Sequence, residues 1–123
     1  MPGEKMALVN ASTGEIVAEE VMEAKTFIGR LKGLMLKKNF SGRAMLFSFK
    51  KIGRYSVHTM FMRFPIDLIY LDEKFIVVEI KENLKPWRFY RPKMRAKYLI
   101  EAPAGVAKRV KISHKLLFPG AGG

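Results

Sequence analysis

His58-Thr59-Met60-Phe61-Met62-Arg63-Phe64-Pro65-Ile66-Asp67 is the stretch whose reading decides the fold. It sets a histidine, an arginine and a carboxylate into an apolar run that continues through Leu68, Ile69, Tyr70 and Leu71 to Asp72. Polar groups of both signs therefore enter or border a core, where each needs a partner. Val57 to Met62 and Ile66 to Leu71 read as strands, with Pro65 confining its neighbourhood to an edge, bulge or bend. In an extended Val57 to Met62, alternation points His58, Met60 and Met62 one way and Thr59, Phe61 and Arg63 the other. On the next strand Asp67 shares a face with Ile69 and Leu71, among apolar neighbours.

Outward from this centre, Ala7 to Asn10 and Ile16 to Val21 flank Ala11-Ser12-Thr13-Gly14, a composition that suits a first hairpin. Phe27, Ile28, Leu31, Leu34 and Met35 then fall at helical spacing behind the plausible N-cap Thr26. This predicts one main amphipathic helix over about 26–36. Ala44 to Phe49 and Phe75 to Lys81 read as strands, and Lys81 to Met94, with Pro86 and Pro92, as a long connection. A strand at Ala96 to Ala102, a short helix over about 104–109 and a last strand near His114 to Phe118 close the pattern. Strands outnumber helices and come in consecutive runs. The expected class is α+β and β-dominated, an antiparallel sheet curling into a small, partly closed barrel that hides its edges.

A chain of 123 residues, about half of them apolar, suits a single domain over 1–123 with a core over about 7–118. Residues 1–6 and the Gly-rich 119–123 are expected to fray. Cysteine is absent, which excludes disulfides and thiolate chemistry. No apolar run has the length of a signal peptide or membrane span, so a cytoplasmic protein without a membrane partner is expected.

The net charge of +12 is unevenly spread. Residues 1–50 carry eight basic and five acidic side chains, 51–80 four of each, and 81–123 eleven against two. Such an excess attracts polyanions, RNA or DNA among them, and also suits a solubilising, Lys-rich surface. Within it, Lys85, Trp87, Arg88, Arg91, Lys93, Arg95 and Lys97 form the candidate polyanion-binding segment. Cations there capture phosphates, and flat rings can stack bases. The competing account makes Trp87 and Phe89 anchors of a long loop and the cations a solvated rim; exposure of Trp87 separates the two.

His58, Arg63 and Asp67 form the second candidate, a pocket for an anionic small ligand or a structural polar cluster. Asp67 is either a semi-buried device fixing the bend at Pro65 or a working acid or base. His58 and His114 lack the spacing of a zinc site, and no GxSxG, GxGxxG or GxxxxGK[ST] motif occurs. No catalytic residue, metal site or cofactor is assigned. A purely structural or interaction role stays open, as does the oligomeric state.

The central motif, taken with Gly33-Leu34-Met35, Leu84-Lys85-Pro86-Trp87-Arg88 and Leu99-Ile100-Glu101-Ala102-Pro103-Ala104-Gly105, resembles the uncharacterised family called domain of unknown function 192. The similarity covers roughly Ala7 to Phe118. It implies a compact β-rich domain with short helices and supplies no reaction, cofactor or partner.

Overall fold

The computed structural model describes residues 6–23 and 42–118. Its strands are β1 (Leu8–Asn10), β2 (Ile16–Ala18), β3 (Glu20–Glu23), β4 (Arg43–Gly53), β5 (Val57–His58), β6 (Ile66–Leu71), β7 (Val77–Leu84), β8 (Phe89–Tyr90), β9 (Ala96–Pro103) and β10 (Leu116–Leu117). They form a five-stranded sheet in the order β3-β4-β9-β6-β7, a three-stranded sheet β10-β1-β2 and the two-stranded ribbon β5-β8.

β6 explains this layering. All six of its residues are buried, so both faces of the sheet must be covered. Alternation sends Ile69 and Leu71 to one side, where Leu46, Ile100 and Ala102 meet Leu8, Val17 and Leu116 of the three-stranded sheet. Ile66, Leu68 and Tyr70 face the other side with Phe47 and Leu99, under Val57, Met62 and Tyr90 around the ribbon.

The expected hairpin forms: β1 pairs antiparallel with β2, and Gly14 supplies the positive φ of 82° at the reversal. The run Ile16 to Val21 nevertheless divides at Glu19. Beyond the break, β3 leaves its hairpin partner and pairs parallel with β4, so the large sheet is mixed rather than antiparallel.

Two further expectations are corrected. The sheet does not curl into a partly closed barrel; it is open, with β3 and β7 as outer strands. Chain segments shield those edges instead of closure. Val21 N–H donates to Met6 O on one side, and on the other Val77 N–H donates to His114 O while Ser113 N–H donates to Val77 O. Nor is there a main helix among the described residues, whose one helical segment is a 3-10 turn, Val106–Arg109, within the predicted 104–109. The segment 26–36 lies outside the described residues. Among the described residues covering is achieved by the second sheet and the ribbon, so the expected β dominance holds while the α+β class with its main helix gives way.

Asp67 locks β6 to its surroundings. It is fully buried, and its Oδ1 accepts Asn83 N–H at 2.8 Å while Oδ2 accepts Gly105 N–H at 2.8 Å and Ala107 N–H at 2.9 Å. The first bond sits at a bulge where Ile66 pairs with Leu84 but Leu68 with Lys81, with Asn83 left-handed at φ 55°. The other two cap the 3-10 turn, whose own leading residue Gly105 has no side chain to do so. Asp67→Ala would leave three backbone N–H donors without the buried acceptor they share. A loss of about 3–5 kcal/mol is expected, read as a lower urea midpoint at unchanged m.

Candidate functional site

Thr59 is the hub of the region facing away from Asp67. It follows the ribbon, in which Val57 pairs with Tyr90 and His58 with Phe89, and it is fully buried. Its carbonyl accepts Met62 N–H at 3.1 Å and Trp87 N–H at 2.9 Å, and its own N–H donates to Arg88 O at 2.9 Å. Its hydroxyl accepts Arg88 N–H at 3.0 Å and donates to Lys85 O at 2.5 Å.

These bonds define two turns that Thr59 joins. Thr59-Met60-Phe61-Met62 closes through its own backbone bond, and Phe61, third in the turn, has φ 69°. Lys85-Pro86-Trp87-Arg88 has proline second and Trp87 third at φ 62°, and here the Thr59 hydroxyl bridges the carbonyl and N–H that would otherwise bond directly. A left-handed third position ordinarily selects glycine or asparagine, because Cβ crowds the following carbonyl by about 1–2 kcal/mol. Aromatic side chains at both such positions are thereby aimed outward. Phe61 is 63% exposed and Trp87 54%, and their rings meet edge to face at 4.7 Å and 60°. Phe89, on the ribbon, is 66% exposed.

The far end of the ribbon is held by Glu79, a buried carboxylate on β7. Its Oε1 accepts the N–H groups of Lys93 and Met94 at 2.9 and 2.8 Å, and its Oε2 accepts the Tyr90 hydroxyl. Burial, followed by the bond to this carboxylate and its charge, pushes the Tyr90 phenol up to about 12. Tyr70, deeper under the ribbon, donates to Tyr55 O at 2.9 Å, and its phenol is raised chiefly by burial.

The sequence candidates separate on this frame. Lys85, Trp87, Arg88, Arg91, Lys93 and Arg95 are all exposed along one connected stretch. Lys97 is half-buried, and its ammonium donates to the carbonyls of Phe49 and Lys50. Arg63 is exposed and His58 half-buried on the ribbon, whereas Asp67 lies on the opposite side of the five-stranded sheet. Those three do not converge. Alternation fails in their stretch because β5 ends at His58: Thr59 is buried and Phe61 exposed, although a continuous strand would place them together. Thr59, Phe61 and Glu79 do not stand out as site residues in the sequence. The available signal is Lys85-Pro86, which marks a turn opposite the Thr59 stretch.

Among the described residues no group of three or more His, Asp or Glu side chains is placed to hold a metal ion, and no helix is long and apolar enough to cross a membrane. The family model DUF192, described as uncharacterized ACR, COG1430, matches residues 8–115. A UPF0127 protein of Pyrococcus horikoshii is 40% identical over 104 residues, covering 85% of this chain and 90% of that protein. The chain therefore belongs to the uncharacterised DUF192/UPF0127 family. Two crystal structures share the fold, each with a TM-score of 0.76. One is a Sinorhizobium meliloti protein provisionally described as a transcription regulator, 24% identical, with 95% of this chain and 94% of that one covered. The other, from Novosphingobium aromaticivorans, is of unknown function and 18% identical, with 96% and 90% covered.

Thr59→Val keeps the shape and removes the hydroxyl bridge, leaving Lys85 O and Arg88 N–H unpaired beside it. It should cost about 2 kcal/mol and lower the fluorescence anisotropy of Trp87, the chain's single tryptophan. Tyr90→Phe should cost about 1.5 kcal/mol near pH 8. Because the folded phenol titrates at about 12, above its ordinary 10.0, the stabilisation is complete below pH 10 and is lost as pH rises from there to about 12. The gap in urea midpoint between wild type and Tyr90→Phe should close over that window.

Proposed function

We propose that Phe61, Trp87 and Phe89, with the cations of the 85–95 stretch, bind single-stranded nucleic acid. One observation carries the reading: two solvent-exposed aromatic residues occupy left-handed positions and are held edge to face by a buried threonine. Aromatic rings serving the core would lie inward, and hydrophobic burial gives no reason to fix them outward at a backbone cost. Outward rings beside lysine and arginine suit a ligand with flat apolar faces and a regular row of negative charges. Nucleobases on a phosphate chain provide both.

The charge environment favours the same ligand. Residues 85–98 carry six cations and no aspartate or glutamate. The carboxylate that meets this stretch, Glu79, is buried and engaged by Tyr90 and two backbone donors. Lys85 and Arg88 flank Trp87 closely in sequence, so a base stacked on the indole brings its phosphates within their reach.

Trp87 also reports the binding. Titration with an oligothymidylate or oligouridylate of about 12 nucleotides should quench its fluorescence, with affinity falling steeply between about 50 and 200 mM salt. Phe61→Ala and Phe89→Ala should each cost about 1–3 kcal/mol of binding with folding intact. Charge reversal at Arg88, Arg91 and Arg95 should abolish it at the higher salt. Undetectable binding at low salt, or affinity indifferent to those reversals, would sink the proposal.

A further inference from the structure

β4 runs past the strand it pairs with. Ser48 faces Tyr98 and Gly53 faces Ala96, so β4 takes five steps (48 to 53) while β9 takes two (98 to 96). Three surplus residues must leave the ladder there, and they are held in place rather than left loose. Lys97 Nζ donates to the carbonyls of Phe49 and Lys50, the latter at 3.0 Å, and the Tyr55 hydroxyl donates to Lys51 O at 2.6 Å. The Phe49 and Tyr55 rings stack at 3.7 Å with their planes 10° apart. A single cation and a single phenol thus bind three successive carbonyls, and the backbone stands out as a wedge. Lys50, Lys51 and Arg54 are all exposed on it, around an exposed Ile52.

The pairing scheme places this wedge beside the basic stretch. Residues 54–56 and 91–95 both connect the rung Gly53–Ala96 to the rung Val57–Tyr90, so they run between the same two points. Arg54 therefore belongs to the same end of the ribbon as Arg91, Lys93 and Arg95. From there the ribbon leads to the shared turns of Phe61 and Trp87 at its other end. Neither residues 49–66 nor residues 85–98 contain an acidic side chain. The pairing thus sets the rings at one end of the ribbon and the cations at the other, an extended arrangement that suits a strand.

We infer that the wedge from Lys50 to Arg54 is the second half of the nucleic-acid face. A single strand stacked on Phe61 and Trp87 runs along the β5-β8 ribbon and leaves over Lys50, Lys51 and Arg54. This rests on the reading above and adds the path of the strand and three residues that engage its phosphates. From Trp87 to Arg95 an extended chain spans at most about 28 Å, an upper limit on the separation of the rings from the cations beside the wedge, and a strand of about 16 nucleotides is long enough to cover it.

Strand length is therefore the test. Oligothymidylates of about 4 and about 16 nucleotides are titrated against wild type and the triple variant Lys50→Gln, Lys51→Gln, Arg54→Gln, with Trp87 fluorescence as readout and salt varied. All three side chains are exposed, and the wedge accepts its bonds from Lys97 and Tyr55 through main-chain carbonyls that the substitutions leave in place, so the urea midpoint should be unchanged. On the longer strand the slope of log affinity against log salt should fall by about 2, at roughly 0.7 for each phosphate no longer neutralised, and the loss on the shorter strand should be distinctly smaller. An equal loss on both strands, or an unchanged slope on the longer one, overturns the path while leaving the binding proposal standing. If wild type binds neither strand, the binding proposal itself falls.

Discussion

A strand buried on both of its faces needs a layer on each side, and β6 imposes that requirement on everything else. The three-stranded sheet meets it on one side and the ribbon with its flanking turns on the other. Asp67 makes the arrangement specific. A carboxylate with three backbone donors from two separate segments ties the bulge of β7 and the 3-10 turn to one point of β6. An apolar residue of the same size could fill the volume, but it would leave those N–H groups without the acceptor they share. The buried carboxyl group is therefore tolerated because three backbone donors are already arranged around it.

The opposite face is organised by a neutral residue. Thr59 offers one hydroxyl, one carbonyl and one N–H, and all three are engaged with the two turns it joins. Its hydroxyl stands in for the direct closing bond of the Lys85 to Arg88 turn, which makes that turn dependent on a residue 26 positions away in sequence. Local turn chemistry alone disfavours tryptophan at the left-handed position. Tertiary bonding overrides it: the strain of the left-handed tryptophan is held by hydrogen bonds from a residue distant in sequence.

Much of the strand layout is legible in the sequence because alternation and turn chemistry act locally. The buried run Ile66 to Leu71, the Asn10 to Gly14 reversal and the strand from Ala96 all follow from residue pattern. Pattern fails where distant residues decide the outcome. Glu19 and Glu20 N–H both donate to Gly42 O, which turns the chain out of its hairpin and into parallel pairing, and nothing near Glu19 announces it. Barrel closure is one answer to the need to hide edges, but Met6 and residues 113–114 satisfy that need by other means. Extending the alternation past His58 misplaces Thr59 and Phe61, because a hydroxyl reaching across to Lys85 and Arg88 has no periodic signature. Trp87 is legible as a candidate; its exposure is not, since proline before an aromatic is equally compatible with an anchored loop.

The cations make the same point about what a sum of charges conveys. Lys97 serves the carbonyls of Phe49 and Lys50, Arg109 donates to Val17 O at 3.0 Å, and Lys115 reaches Lys74 O. Each secures an irregular backbone segment by satisfying oxygens that no strand partner reaches, which is structural work done by a charged side chain. Such residues contribute to the +12 total without presenting an ammonium or guanidinium to a ligand. Lys97 even exchanges one role for another: by binding two carbonyls it projects the Lys50 to Arg54 wedge, so a cation withdrawn from the surface determines where three others stand on it. The distribution of charge over the surface is therefore set in part by backbone hydrogen bonding, with net charge acting only through the side chains that this bonding leaves facing water.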